Sequence, residues 1–362
     1  MKPVIRGGLL VVGLVLLAGI LWRVGWPAIA ANLAAIGKWF FFLAALYLLA
    51  QLAFCMGWWV VIDPALPPSR FARVFGVYLA GDTVNYLTPG NFGGEPLKAR
   101  LLEGTLLRAQ RYEGHALLRA PRSEGQALRM GSAVASLTIH KHADMVAQWV
   151  FVLAGVGVSL VAFSLPPAVR FAALAGAALL GGLLWLLTWA LLRGTYGPVL
   201  AWLGRWRPLA ARARRYADAA QKVDASIREF YTIHRARWFA AVGWCFLGWC
   251  GGLVETYIVL RLLTGSEAWW TAFAVEALAM ALNNMLLFVP ARAGSAEGVR
   301  VAVFLLLGMT AVQGATYGLV RRGRELLWLV PGALYKLARG ARRPAPKEIA
   351  AEPPGLAARE VP

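Results

Sequence analysis

The sequence predicts an all-α integral membrane protein, and its composition, its long apolar runs and the placement of its charges all lead to that fold class. Of 362 residues, 59% are hydrophobic and only 15% are charged, with a mean hydropathy of +0.59, whereas about a quarter of a soluble domain is charged. Several apolar runs can cross a hydrocarbon core about 30 Å thick. The 37 basic residues far outnumber the 18 acidic ones. They lie between the apolar runs, so they indicate membrane orientation rather than nucleic-acid binding.

Six apolar segments predict transmembrane helices: residues 7–25, 39–62, 145–165, 171–192, 238–263 and 301–319. The first lacks a good cleavage site, so we interpret it as a retained helix rather than a signal peptide. A shorter segment, 325–338, contains Pro331 and predicts an interfacial or re-entrant helix. Residues 341–362 predict a disordered cytoplasmic tail, which leaves 1–340 as the membrane domain.

Two further apolar runs end in segments that break helices. Residues 71–97 contain the stretch Pro89 to Glu95, and residues 269–300 contain Pro290 to Glu297, both rich in Pro, Gly or other small residues. Such backbone is tolerated at membrane depth only where protein or a water-filled cavity surrounds it. We therefore predict two re-entrant hairpins, with eight full spans as the alternative.

The basic residues set the orientation of these hairpins. Most of them fall in five segments that we expect at the cytoplasmic face: residues 2–6, 63–73, 98–130, 193–237 and 321–362. The first hairpin then enters from the cytoplasm and the second from outside. This predicts two inverted halves, about 1–165 and 166–340, in a bacterial cytoplasmic (inner) membrane with both termini inside.

The first hairpin gathers candidate substrate-binding residues: Asn85, Pro89, Gly93, Gly94, Glu95 and Lys98. Ionisable groups are costly at membrane depth, so they tend to face a cavity or a partner. Glu95 and Lys98 can pair on one helix face, and a helix that starts after Gly94 could hold a lipid phosphate. Alternatively, Glu95 and Lys98 only neutralise each other at the start of a helix and bind no ligand.

The second hairpin repeats this pattern with Asn284, Pro290, Arg292, Gly294 and Glu297. The spacing from Pro to Gly is four residues in both hairpins. Arg292 and Glu297 could form an outward counterpart of the Glu95/Lys98 pair. We therefore include these five residues in the predicted translocation site.

A third polar group, His140 to Asp144, precedes an apolar span. On a helix His140 and His142 point roughly 200° apart, so we predict no metal site, and we expect no cofactor. A Lys141/Asp144 pair either forms a collar at the membrane interface or reaches the hairpin cavity.

Three other features of the sequence each have two interpretations. Glu255 and Glu276 lie in apolar runs and are either site residues or partners of Arg261 or Arg292. The segment 205–237 predicts an amphipathic helix on anionic lipid at the cytoplasmic face, or only a loop that sets topology.

The chain resembles a flippase-like membrane family that includes the transmembrane domain of lysylphosphatidylglycerol synthase. The resemblance rests on Asn85-x-x-x-Pro89-Gly90-x-x-Gly93-Gly94-Glu95-x-x-Lys98, on residues 136–144 and on Pro290-x-x-x-Gly294-x-x-Glu297. It implies a polytopic fold with re-entrant helices in inverted halves and a role as a lipid flippase. Stand-alone members include HpnL-like proteins of hopanoid clusters.

The sequence departs from the family pattern at several positions. His140 and Lys141 stand where Glu and Arg are usual, Ala291 and Ala293 replace common glycines, and Arg292 adds a charge. Asp144 and Glu297 keep the roles that the resemblance implies, whereas a role for His140 does not carry over.

The predicted function is that of a lipid translocase, with membrane lipids as partners and no enzymatic activity. An intramembrane transferase for lipid-linked substrates is one alternative, but the chain has no Asp-Asp-x-x-Asp cluster and no His-Glu-x-x-His motif to support it. A non-catalytic subunit of a lipid or envelope biosynthesis system is the other. Since no aminoacyl-transferring domain follows residue 340, lysyl transfer to lipid is not expected.

Overall fold

The computed structural model describes residues 18–19, 22, 25–62, 66–88, 93–113, 122–265, 269–285 and 294–340. This part of the chain contains twelve α-helices and no strand, which confirms the all-α prediction. In chain order the helices are α1 Trp26–Ile36, α2 Trp39–Trp59, α3 Phe71–Tyr86, α4 Glu95–Glu113, α5 Arg122–Ala162, α6 Pro167–Arg193, α7 Tyr196–Leu203, α8 Arg207–Ile233, α9 Arg235–Thr264, α10 Trp269–Met285, α11 Ser295–Leu306 and α12 Ala311–Gly340.

Four helical segments in the described ranges are long and apolar enough to cross a membrane: Trp39–Trp59, Gly131–Ala162, Pro167–Arg193 and Arg235–Thr264. They coincide with four of the six predicted spans. The predicted span 7–25 lies outside the described residues, apart from residues 18–19, 22 and 25.

The predicted span 301–319 is wrong. Helix α11 ends at Leu306 and α12 begins at Ala311, and between them Gly308 adopts a φ of 79°, which glycine tolerates at little cost. The separate helix predicted at 325–338 is also wrong, because α12 continues through Pro331 to Gly340. Charged residues near the middle of α12 concealed this length in the hydropathy pattern.

Both predicted hairpins contain a pair of helices that pack together across a break. Helices α3 and α4 flank the first break, and α10 and α11 flank the second. Within the breaks, Pro89, Pro290 and Arg292 lie outside the described residues. Re-entry into the membrane from opposite faces stays a prediction.

The helices pack in a reciprocal pattern. Helix α2 packs along α9, α12 packs on α3 of the first hairpin, and α5 packs on α10 of the second. The two long helices α5 and α12 therefore each contact the hairpin of the other half. The two sets of helices related by this pattern cover residues 39–162 and 235–340, and residues 167–233 lie between them in the chain.

Small residues allow the closest approach in both reciprocal contacts. A Cβ added to Gly155 of α5 would lie 2.2 Å from Ala277 Cβ, and one added to Gly332 of α12 would lie 2.4 Å from the Leu79 carbonyl oxygen. In lipid, helices associate mainly through close van der Waals packing, which small residues permit. These glycines thus hold each hairpin against the long helix of the other half.

The predicted amphipathic helix at 205–237 is present as α8, Arg207–Ile233. Val223, Ile227 and Phe230 are buried in the protein core, where α8 packs on α5. Part of its apolar face is therefore covered by protein, and the binding of anionic lipid stays a prediction.

Candidate functional site

A cavity of about 360 Å³ lies where the two hairpins meet. This volume is within the range of small-molecule sites, roughly 300–1,000 Å³. The first hairpin contributes four charged or amide side chains and the second contributes three, while α2, α5, α9 and α12 complete the walls. The polar lining includes Asp82, Asn85, Glu95, Lys98, His140, Lys141, Asp144, Glu276, Asn283, Arg300, Arg321, Arg322, Arg324 and Glu325.

Asn85 joins the two helices of the first hairpin. Its Oδ1 accepts a hydrogen bond from the Gly94 N–H over 2.7 Å, and its Nδ2 donates to Glu95 Oε1 over 2.9 Å. Lys98 Nζ donates to the same Glu95 oxygen over 3.1 Å, which confirms the predicted pair. The first hairpin thus presents a linked carboxylate and ammonium to the cavity.

Two glycines allow α3 and α4 to pack closely beside this pair. A Cβ on Gly94 would lie 1.9 Å from the Gly81 carbonyl oxygen, and one on Gly81 would lie 2.2 Å from Lys98 Cγ. Gly94 therefore packs against α3 and does not line the cavity. Gly93, also a predicted site residue, is exposed, and its N–H donates to Thr88 Oγ1 over 3.1 Å.

Glu297 fixes the start of α11. Its Oε2 accepts a hydrogen bond from the Gly294 N–H over 2.8 Å, and its Oε1 accepts from Arg322 Nε over 2.8 Å and from Arg322 Nη2 over 2.5 Å. Arg322 Nη1 also donates to the Tyr86 hydroxyl of the first hairpin. A single guanidinium therefore bonds both hairpins. The predicted Arg292/Glu297 pair lies partly outside the described residues and stays untested.

Two other buried acids are held by the same helix. Arg321 Nη1 lies 2.5 Å from Glu276 Oε2, and Arg324 Nε lies 3.0 Å from Glu255 Oε1. Both acids are about 98% buried at the side chain. Both acids pair with arginines of α12, which were not among the partners predicted from the sequence.

Arg321, Arg322 and Arg324 belong to the segment 321–362, whose placement at the cytoplasmic face stays a prediction, but they are not simple exposed charges. Their side chains are only 13%, 17% and 2% exposed, and all three line the cavity. A signal was present in the sequence: Glu255 and Glu276 lie in apolar runs and need basic partners. Arg300 also lines the cavity.

The third polar group belongs to the cavity wall. Lys141 Nζ lies 2.8 Å from Asp144 Oδ2, and both residues line the cavity, in agreement with the second of the two alternatives. His140 Nε2 contacts the Phe54 carbonyl oxygen, while His142 contacts Tyr231 and Thr188. The two histidines thus face different helices, as the helical spacing predicts.

Eight of the predicted site residues fall into three groups. Asn85, Glu95, Lys98 and Asp144 line the cavity. Gly94, Gly294 and Glu297 support its walls through the contacts above. Asn284 is buried beside the lining residue Asn283, and its Nδ2 has no hydrogen-bond partner among the described residues.

These features define a polytopic helical membrane protein with a charged cavity between two broken hairpins. Residues 5–332 match the family described as the lysylphosphatidylglycerol synthase TM region, and the chain belongs to that family. The family is the transmembrane part of a lipid-modifying protein, so this is a membrane protein related to lipids. No curated protein and no solved structure matches the chain.

Proposed function

We propose that the protein is a lipid translocase that moves the polar headgroup of an amphipathic lipid through the cavity while the tails stay in the bilayer. The observation that carries this proposal is the charged cavity bounded by both hairpins. A charged headgroup is strongly disfavoured in the hydrocarbon core, and a protein cavity lined by charge lowers that barrier. The family's relation to lipid modification supports lipid as the cargo.

The two halves carry matching pairs of charges. The second helix of each hairpin has an acid followed three residues later by a base, Glu95 to Lys98 and Glu297 to Arg300. Each long helix has the reverse order, Lys141 to Asp144 and Arg322 to Glu325. This chemical correspondence supports the division into two related halves.

The matching pairs are in different states. In the second half the hairpin and the long helix are joined, with Glu297 and Arg322 2.5 Å apart. Among the described residues of the first half, no ion pair joins Glu95 to Lys141, and the Lys141 side chain is 43% exposed. The second hairpin is therefore ion-paired to its long helix, α12, whereas the first hairpin lacks the matching ion pair to α5.

This difference suggests how access alternates. Lys141 would pair with Glu95 while Arg322 releases Glu297, so that the cavity opens at the second hairpin. In this second state the first hairpin would be ion-paired to α5, and the second hairpin would be released from α12. No nucleotide-binding motif occurs in the chain, so an ion gradient or a lipid gradient would supply the driving force.

Reconstitution tests the proposal. The purified protein is placed in liposomes that contain a tail-labelled phospholipid, and exchange between leaflets is followed by quenching of the outer label. We expect exchange well above protein-free liposomes, and a loss of exchange in Glu95→Gln. Asp218→Asn, an exposed carboxylate on α8, is the matched control. Exchange no faster than in protein-free liposomes would refute the proposal, and a change in lipid mass would favour the transferase alternative.

A further inference from the structure

Most charged groups around the cavity pair with one another, but two of them are poorly satisfied. Within the described residues, Asp82 makes no ion pair and accepts one side-chain hydrogen bond, from Gln51 Nε2 over 3.3 Å. Arg300 has its Nη1 buried with no hydrogen-bond partner, and that atom lies 4.0 Å from Glu297 Oε1. Arg322 already donates two hydrogen bonds to this oxygen.

These two groups lie on different hairpins and carry opposite charges. Asp82 is one helical turn before Tyr86 on α3, and Arg300 is almost one turn after Glu297 on α11. Tyr86 and Glu297 both bond Arg322. The cavity therefore has a carboxylate on one wall and a guanidinium on the other, with Arg322 between the walls.

We infer that the cavity selects a zwitterionic headgroup that carries a phosphate and an amine, with Arg300 binding the phosphate and Asp82 binding the ammonium. This inference rests on the proposed translocase function and names its substrate class. A guanidinium binds phosphate oxygens through paired hydrogen bonds, and a carboxylate accepts hydrogen bonds from an ammonium. Each group would gain the partner that it lacks in this structure.

Other headgroups fit less well. A headgroup with only a phosphate would satisfy Arg300 but place a second anion near Asp82. A headgroup with only an amine would leave Arg300 Nη1 buried without a hydrogen-bond acceptor. Since a buried polar group without a partner is costly, the zwitterion is the class that satisfies both walls.

Two lipids with identical labelled tails test this selectivity. Phosphatidylethanolamine carries a phosphate and an amine, whereas phosphatidylglycerol carries the phosphate alone. In proteoliposomes we expect the wild type to exchange phosphatidylethanolamine about tenfold faster, the order expected when one charged hydrogen bond is lost. Asp82→Asn should slow phosphatidylethanolamine about tenfold and leave phosphatidylglycerol nearly unchanged, which removes the preference.

Arg300 should act on both lipids, because both carry a phosphate. Arg300→Gln should slow the exchange of each, and Arg300→Lys, which keeps the charge, should restore part of it. The exposed residues Asp218 and Arg193 give the matched controls, Asp218→Asn and Arg193→Gln, in which both rates should stay at the wild-type value.

The outcomes separate this inference from the proposed function. Equal wild-type rates for the two lipids, or a faster rate for phosphatidylglycerol, would overturn the zwitterion assignment while translocation still stands. An equal slowing of both lipids by Asp82→Asn would also overturn it. Failure of the wild type to move either lipid would remove both proposals together. The wild-type comparison does not depend on how well any variant folds.

Discussion

Arg322 and Glu297 form a bonded pair, with Arg322 Nη2 2.5 Å from Glu297 Oε1, and this pair attaches α12 to the start of α11. The same helix uses Arg321 to hold α10 and Arg324 to hold α9. Three ion pairs from a four-residue stretch of α12 therefore tie this helix to three different elements. The position of α12 sets the shape of the cavity on the side of the second hairpin.

Breaking the Arg322–Glu297 pair from one side should be costly. Glu297→Gln leaves a mostly buried guanidinium with only Glu325, at 3.7 Å, as a close acid. We expect the free energy of unfolding to fall by about 3 kcal/mol. The double variant Glu297→Gln/Arg322→Gln should lose at least about 1 kcal/mol less than the two single variants added together. Unfolding in detergent measures all three, and strict additivity would show that the pair contributes no coupling.

The sequence predicted the parts of the fold that depend on local pattern. Uninterrupted apolar runs such as 39–62 and 171–192 became helices of spanning length. The Glu95/Lys98 and Lys141/Asp144 pairs follow from spacing on a single helix, and both are present. Such contacts need no knowledge of which helices are neighbours.

The parts that the sequence did not predict depend on tertiary contacts. Whether Arg324 is a cytoplasmic charge or a buried partner depends on Glu255, about 70 positions earlier and on another helix. Hydropathy also cannot distinguish one span at 301–319 from two helices separated at Gly308, because the apolar residues continue through the turn. Long-range pairing of charge decides the first case, and the turn at Gly308 the second.

Gly94 should not tolerate a larger side chain. Gly94→Ala would place its Cβ 1.9 Å from the Gly81 carbonyl oxygen, which can move only if α3 and α4 separate. We expect a drop of several degrees in the unfolding temperature and slower lipid exchange. Gly104→Ala on the same helix, where a Cβ meets nothing within 4 Å, should instead stabilise by up to about 1 kcal/mol. Equal effects of the two substitutions would contradict the close packing.

Single cysteines can locate the first hairpin relative to the membrane. In a background without Cys55, Cys245 and Cys250, we expect Gly104→Cys to react with an impermeant maleimide only from the cytoplasmic side. Ser164→Cys, in the exposed turn between α5 and α6, should react only from outside. The reason is that basic residues flank both ends of the first hairpin. Labelling of Gly104→Cys from outside would instead support a single full crossing by this apolar run, as in the alternative with eight spans.

Arg237 should stabilise the fold by capping α2, in addition to the topological role predicted for the basic segment 193–237. Its Nε donates to the Val60 carbonyl oxygen over 2.7 Å and its Nη2 to that of Ile62 over 2.6 Å, where a cation also opposes the negative end of the helix dipole. Arg237→Gln should lower the free energy of unfolding by about 2 kcal/mol. Arg235→Gln removes the same charge from an exposed position two residues away, so it controls for any effect on topology and should change stability little. If both variants unfold at the same temperature in detergent, the capping bonds contribute nothing measurable and Arg237 acts only through its charge.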